Sequence, residues 1–149
     1  TGKVRSKRLS RNLGIKKRTL KKDDPIFTYR QGSKWYTLKS SDVNKYLKKF
    51  GNFSSKNFRT WVANLSFITE ILKCDESDND TKRNKNINEA LQKTAHKLNN
   101  TASVCRTNYI DPFLINLYLN DTKRFIGTFK HTSTKDEISG KYIQLLRSK

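Results

Sequence analysis

The sequence contains few of the residues that bind metal ions or form disulfides. It has 149 residues, with two cysteines, two histidines and no methionine. Cys74 and Cys105 show no metal-binding spacing and no disulfide framework, so we expect free thiols in a reducing compartment. His96 and His131 are far apart in the chain, which argues against a zinc site. The sequence therefore predicts no metal and no cofactor.

Long apolar segments are absent as well. No run approaches the roughly 18 consecutive apolar residues that a membrane-spanning helix needs. The first residues, TGKVRSKRLSRN, lack the apolar region of a signal peptide. Neither feature favours a membrane partner. Because the chain also lacks an initiator methionine, we expect it to be part of a longer protein.

Acidic residues are scarce relative to basic ones. The 32 lysines and arginines outnumber 13 aspartates and glutamates, which gives a formal net charge of +19 and a pI near 10.1. Residues 1–22 hold ten basic residues and no acid, a composition typical of a solvated arm or a phosphate-binding segment. The charge favours a polyanionic partner, with nucleic acid first and an anionic membrane surface second. The membrane is weaker because the charges form no single amphipathic face.

The remaining composition is that of a folded chain. Hydrophobic residues make up 34% and aromatic residues 11% of the sequence, which is enough for a core. The length suits one domain over residues 1–149. We therefore expect a single folded domain with a basic surface.

The sequence pattern predicts a mainly α fold with a small β contribution at the N-terminal end. IFTYR and KWYTL flank QGS, which indicates a short hairpin, and VRSKRL is a further candidate strand. Helices are predicted over DVNKYLKKF, FSSKNFRTWVANLSFITEILK, INEALQKTAHKL, DPFLINLYL and KDEISGKYIQLLRSK, with CDESDNDTKRNKN as a polar loop.

Caps and apolar faces follow from the same pattern. Ser40 or Ser41 is expected to cap the first helix, Ser54 or Ser55 the second, and the pair 99–100 to end the third. The apolar faces expected on these three helices are Val43, Tyr46, Leu47 and Phe50; Phe58, Trp61, Val62, Leu65, Ile68 and Leu72; and Ile87, Leu91, Ala95 and Leu98.

Four polar residues are candidates for chemistry. Tyr109 precedes Ile-Asp-Pro, so it is predicted at the junction of two elements. Lys56 and Arg59 share a helix face and offer a point charge and a planar fork suited to one phosphate. Asn100 stands nine residues before Tyr109. Each also suits a structural role, as a surface cation, a packed aromatic or a helix cap.

Three motifs in a fixed order resemble the type IB DNA topoisomerases of poxviruses, giant viruses and bacteria. They are SSDVNKYLKKF, SSKNFRTWVANL and NNTASVCRTNYIDP, and IFTYRQGSKWYTL before them also looks like the family. The resemblance covers roughly residues 26–120. It implies the C-terminal part of a catalytic domain of the topoisomerase IB and tyrosine-recombinase kind.

The resemblance also implies a reaction. Tyr109 matches the family nucleophile, which attacks a phosphodiester of double-stranded DNA, forms a 3′-phosphotyrosyl bond and expels the 5′-hydroxyl. Arg59 matches a catalytic arginine, and Asn100 matches a histidine or asparagine, both of which bind the nonbridging oxygens of the phosphate. Rotation of the free end and reversal of the attack then relax supercoils without ATP or metal. A monomer is expected.

Further DNA contacts are expected from basic residues. Lys56 matches a lysine that precedes the family arginine, and Arg106 and Lys3 are additional candidates. His96 lies thirteen residues before Tyr109, out of register with the family histidine, and is expected to be at the surface or partly packed.

The sequence departs from the family pattern in several places. Ala102 replaces a proline and Asn57 replaces an acidic residue. The family's second catalytic arginine and its general-acid lysine match nothing in the chain and are expected before residue 1. We therefore expect that residues 1–149 alone do not cleave DNA at a normal rate, because general-acid help is worth about 10²–10⁴-fold.

Two other functions are compatible with the residues. A tyrosine recombinase shares the arginine and tyrosine but normally carries His-x-x-Arg where this chain has KNFR. A non-catalytic basic DNA-binding module would keep the fold alone. The abundance of Lys, Asn, Ser and Thr favours a large DNA virus, with the protein in the virion and the viral factory of the host cytoplasm. A bacterial origin would place it in the bacterial cytoplasm.

Overall fold

The computed structural model of the protein describes residues 27–148. The chain divides into two compact units, which we call the N-terminal unit (residues 1–54) and the C-terminal unit (residues 55–149). Lys3 and the candidate strand VRSKRL lie outside the described residues. The expectation of one domain over residues 1–149 stays a prediction. The predicted fold class is confirmed, because helices dominate and two short strands precede them.

The described part of the N-terminal unit begins with the predicted hairpin. Strands β1 (Thr28–Gln31) and β2 (Lys34–Thr37) pair antiparallel, with Tyr29 opposite Tyr36. These two rings stack with centroids 5.4 Å apart, as cross-strand aromatic pairs commonly do. Gly32 occupies the first turn position with φ +62°, a backbone angle that glycine adopts without steric cost. The turn chemistry of QGS therefore sets the hairpin.

A short helix follows the hairpin. Helix α1 spans Ser40–Leu47 and continues into a 3₁₀ turn, Lys48–Phe50, which ends at Gly51 as predicted. The predicted serine cap is wrong, because the capping residue is Lys39. The Lys39 backbone N–H donates a hydrogen bond to the Asp42 carboxylate (2.8 Å). An acid at the third helical position can satisfy an orphan donor in this way.

The C-terminal unit is a bundle of six helices in the described residues. They are α2 (Ser55–Ile71), α3 (Asp80–Leu98), α4 (Ala102–Asn108), α5 (Pro112–Asn120), α6 (Thr122–Phe129) and α7 (Lys135–Arg147). Helices α4 and α6 were not predicted. Helix α3 also begins earlier than predicted, because the Asn79 side chain accepts hydrogen bonds from the backbone N–H groups of residues 81 and 82.

The predicted apolar face of α2 is partly wrong. Phe58 and Val62 are 53% and 54% exposed, and Ile68 is the one member of the predicted stripe that is fully buried. The core face is rotated and carries Phe67 and Ile71. Both faces of this helix are apolar, so the period of the sequence does not select one of them.

The core of the C-terminal unit draws on every one of its helices. On α3 the predicted residues Ile87, Leu91 and Ala95 are buried as expected. The largest fully buried side chains in the described residues include Phe67, Phe125, Phe129, Leu114 and Tyr118. Burying one such side chain is worth about 1.5–3 kcal/mol, so this cluster fixes the positions of α2 to α5, which carry the candidate site.

Candidate active site

Arg59 lies in the second turn of α2 and reaches the C-terminus of α3. Its Nη2 atom donates a hydrogen bond to the carbonyl oxygen of Leu98 (2.5 Å). The last carbonyls of a helix have no partner within the helix and carry partial negative charge, so they hold a cation well. The Arg59 side chain is half-buried, and its Nε atom is buried without a hydrogen-bond partner. The guanidinium is therefore oriented by α3 and keeps donors available for an anion.

Tyr109 ends helix α4 and lies beside Arg59. The Arg59 Cζ atom is 5.3 Å from the centroid of the Tyr109 ring, a cation–π distance. The Tyr109 backbone N–H donates to the Cys105 carbonyl (3.0 Å), and α5 begins three residues later at Pro112. Tyr109 is half-buried. The prediction that it lies at the junction of two elements is confirmed, and the fold brings it together with Arg59 from 50 residues away.

Asn64 links the two helices that carry these side chains. It is 2% exposed, and its Nδ2 atom donates to the Tyr109 carbonyl (3.0 Å) and to the Thr60 carbonyl (2.9 Å). Its Oδ1 atom accepts from the Asp111 backbone N–H (2.8 Å). Because Asn64 and Arg59 lie on the same helix, one rigid element holds both the guanidinium and the Tyr109 backbone.

Sequence reasoning missed Asn64. Its signal is a single amide within the apolar stretch WVANLSFI, one residue after Ala63 and three before Phe67, both buried. A buried amide must satisfy its donors and acceptor inside the protein, so such a residue usually ties together backbone segments. The pattern could have indicated a clamp but not which segment it binds.

Asn100 follows the C-terminus of α3. Asn99 adopts the left-handed conformation (φ 56°), and the Asn100 backbone N–H donates to the Ala95 carbonyl (2.9 Å), so the predicted helix end is confirmed. The Asn100 Nδ2 atom is buried without a hydrogen-bond partner. An unpaired buried donor costs about 1–3 kcal/mol, so this amide is a candidate to donate a hydrogen bond to a ligand oxygen. Asn100 lies two residues beyond Leu98, whose carbonyl holds Arg59.

Two of the predicted DNA contacts, Lys56 and Arg106, are exposed on different helices of the C-terminal unit. Lys56 is exposed in the first turn of α2, three residues before Arg59. Arg106 is exposed on α4 and lines a groove with residues of α3, including Asn88 and Gln92. Lys3 lies outside the described residues.

His96 and Cys105 are further titratable groups of the C-terminal unit. His96 is exposed on α3, as predicted, in a groove with Glu70 and Lys97. Burial raises the pKa of the Cys105 thiol, although the Arg59 charge acts in the opposite direction. Among residues 27–148, no three histidine, cysteine or acidic side chains are grouped to hold a metal ion, and no helix is long and apolar enough to cross a membrane.

Comparison with known proteins identifies the family. The sequence model of the eukaryotic DNA topoisomerase I catalytic core matches residues 3–125. The chain belongs to the type IB topoisomerase family. A protein named DNA topoisomerase 1B from Acanthamoeba polyphaga mimivirus is 32% identical over an alignment of 125 residues, and the match covers 76% of this chain and 37% of that relative. The chain therefore spans little more than a third of the relative's length. No solved structure gave a significant match.

Membership of the topoisomerase family confirms the resemblance read from the three motifs. The matched residues include α2, α3, α4 and α5, and therefore Arg59, Asn64, Asn100 and Tyr109. Helix α7 lies beyond the match, since it begins at Lys135. The match to the family therefore includes the helices that carry the candidate site.

Proposed function

We propose that this chain carries the DNA-cleaving tyrosine of a type IB topoisomerase that relaxes supercoiled double-stranded DNA without ATP. The observation that carries the proposal is the position of the Arg59 guanidinium beside the half-buried Tyr109 ring, 5.3 Å from its centroid. The Tyr109 phenol can act as a nucleophile and the neighbouring Arg59 cation can bind a phosphodiester. A common core fixes the helices that carry both groups, so the pair suits nucleophilic attack on phosphorus. The family assignment supports the same reaction.

The proposed step transfers one phosphoryl linkage. The Tyr109 oxygen attacks the phosphorus, a new P–O bond to tyrosine forms, and the bond between phosphorus and the 5′-oxygen breaks. The phenol proton passes to solvent water, and the departing 5′-oxygen takes up a proton from solvent to become a hydroxyl, so the step is balanced. The 3′-phosphotyrosyl bond conserves the energy of the broken linkage, so the 5′-hydroxyl can attack it and restore the DNA strand after rotation.

Arg59 and Asn100 are the proposed ligands of the nonbridging phosphate oxygens. Negative charge increases on these oxygens as the pentavalent transition state forms, so fixed donors bind that state more tightly than the ground state. Two buried donor atoms, Arg59 Nε and Asn100 Nδ2, support this role. Each has no hydrogen-bond partner within the protein, and a phosphate oxygen would supply one. Lys56 adds a nearby positive charge from the same helix as Arg59.

The decisive experiment replaces Tyr109 with phenylalanine in the complete protein. Incubation with a duplex whose cleaved strand cannot be rejoined traps the covalent product, which is separated on a denaturing gel. Wild-type protein should form the adduct and Tyr109→Phe should not, while DNA binding is kept. Adduct formation by Tyr109→Phe would refute the assignment. A wild type that binds DNA and forms no adduct would favour the non-catalytic binding module.

DNA affinity should depend steeply on salt. The chain has a formal net charge of +19, and each phosphate contact releases counterions from DNA. Lys56→Gln and Arg106→Gln should each lower the slope of log K against log salt by about one if the residue contacts phosphate. A fluorescence-anisotropy titration at several salt concentrations measures the slope, and an unchanged slope would remove that residue from the proposed interface.

We also propose a viral origin, with the protein in the virion and the viral factory of the host cytoplasm. The mimivirus relative supports this origin. Mass spectrometry of purified virions and of isolated viral factories tests the location directly, and absence of the protein from both would contradict it.

A further inference from the structure

We propose that Tyr142 is a positioning residue for Tyr109, acting from α7 through the side chain of Asp111. The inference rests on the proposed role of Tyr109 as the nucleophile. Helix α7 lies beyond residues 3–125, the range that the family model matches. A residue that supports the reaction would therefore lie outside the segment that defines the family.

The first contact is between Tyr142 and Asp111. Tyr142 is 2% exposed, and its hydroxyl donates a hydrogen bond to Asp111 Oδ2 (3.2 Å). Burial first, and then the neighbouring Asp111 carboxylate, raise the pKa of the Tyr142 phenol, so it stays protonated and acts as a donor. At 3.2 Å the bond is longer than most O–H···O bonds, so its main effect is to fix the direction of the carboxylate.

The second contact joins Asp111 to the Tyr109 backbone. Asp111 lies two residues after Tyr109, and its Oδ1 atom accepts from the Phe113 backbone N–H (3.0 Å), which caps α5. Its own N–H donates to Asn64 Oδ1, and Asn64 Nδ2 donates to the Tyr109 carbonyl. Tyr142, Asp111, Asn64 and Tyr109 therefore form one continuous hydrogen-bonded path.

The ring of Tyr142 fixes the other end of this path. It stacks on Trp61 with centroids 5.1 Å apart and an interplanar angle of 29°. Trp61 lies on α2, two residues after Arg59. The Tyr142 ring thus contacts α2, the helix that carries Arg59. The Tyr142 hydroxyl contacts Asp111, two residues after Tyr109. One side chain can hold the spacing between the two groups that must meet at the phosphorus.

The test separates positioning from stability by changing one oxygen atom. Tyr142→Phe removes the hydroxyl and keeps the ring on Trp61. Tyr118→Phe is the matched control, because Tyr118 is equally buried (1% exposed) and its hydroxyl accepts from Asn86 Nδ2 (3.0 Å). Both variants lose one buried hydrogen bond, worth about 0.5–1.5 kcal/mol, and should lower Tm by similar amounts.

The readout is the rate of adduct formation at saturating DNA in the complete protein. Tyr142→Phe should lower this rate about 3- to 10-fold with an unchanged DNA Kd, whereas Tyr118→Phe should leave it within about 2-fold of wild type. Equal rates for the two variants would overturn the inference. The proposed function is judged separately, because it fails if wild type forms no adduct or if Tyr109→Phe still forms one.

Two further measurements exclude a general loss of structure. Amide hydrogen exchange of residues 109–111 should be faster in Tyr142→Phe than in Tyr118→Phe, a result that needs no activity. Asp111→Ser keeps a capping side chain but is too short to reach Tyr142. In the Asp111→Ser variant, adding Tyr142→Phe should cause no further loss in the rate of adduct formation. If the two losses were instead fully additive, Tyr142 would not act through Asp111.

Discussion

The N-terminal and C-terminal units differ in where their large apolar side chains lie. Within residues 27–54 no residue is buried, and the exposed large apolar side chains are Phe27, Tyr29, Trp35, Tyr36, Leu38, Val43, Tyr46, Phe50 and Phe53. The C-terminal unit instead buries twenty hydrophobic residues in one cluster. Arg59, Asn64, Asn100 and Tyr109 all belong to that second unit. The comparison indicates that the geometry of the candidate site depends on the core of the C-terminal unit.

The largest expected effect is a loss of stability when a core side chain is truncated. Phe67→Ala should lower the free energy of unfolding by about 3–5 kcal/mol, since Phe67 is fully buried and the change leaves a cavity. Trp35→Ala removes a larger side chain that is 69% exposed on the hairpin and should cost less than about 0.5 kcal/mol. Denaturant unfolding measures both, and similar losses would mean that the hairpin packs more tightly than its exposure indicates.

The next effect concerns the proposed phosphate ligand. Arg59→Lys keeps the charge but loses the planar fork, and adduct formation should fall by about 10²–10³-fold with little change in Tm. Arg30→Lys is the control in the N-terminal unit, where Arg30 is exposed and bonds the Gly32 carbonyl (2.8 Å). The rate of adduct formation by Arg30→Lys should stay near that of wild type. A comparable loss in Arg30→Lys would remove the distinction between the two arginines.

The third effect tests the buried amide that holds the Tyr109 backbone. Asn64→Ala leaves the Tyr109 carbonyl and the Asp111 N–H without their partner, at a cost of about 1–3 kcal/mol for each buried unsatisfied group. Asn86→Ala removes another buried amide, which bonds Asp75 and Tyr118, and should destabilise to a similar degree. Adduct assays at a temperature where both variants are folded should show a loss for Asn64→Ala alone.

The smallest expected effect is a pH dependence of stability. Burial acts to raise the pKa of Glu70, but the hydrogen bonds from Lys97 and Lys73 outweigh it and hold the pKa below the usual 4.5. A lowered folded-state pKa contributes stability above the unfolded-state value, and this stability is lost as pH falls through the folded-state value. Wild type should therefore have a higher Tm than Glu70→Gln near neutral pH.

The pH effect has an internal control. The difference in Tm between wild type and Glu70→Gln should shrink below about pH 4.5, the usual pKa of the group. The Glu89–Lys93 pair is exposed on α3, and surface pairs contribute about 0–1 kcal/mol. Glu89→Gln should consequently change Tm less than Glu70→Gln at every pH. The opposite order would contradict the assignment of Glu70 as the stabilising carboxylate.

Much of the fold was predictable because local signals agreed with it. The glycine turn of the hairpin, the asparagine end of α3 and the proline start of α5 each act within a few residues. Helices α4 and α6 were missed because each has eight residues or fewer, too short for a clear period. The core face of α2 was misjudged because apolar residues surround the helix, and only its neighbours select the buried side.

The sequence by itself determined the helical class, the basic charge and the motifs that resemble type IB topoisomerases, because composition and local order carry that information. Tertiary structure alone decided that Arg59 lies against Tyr109, that Asn64 binds the Tyr109 backbone and that Tyr142 contacts Asp111. The physical reason is distance along the chain. These contacts join residues 31 to 50 positions apart, and only packing of the helices into one core brings such residues within hydrogen-bond or cation–π range.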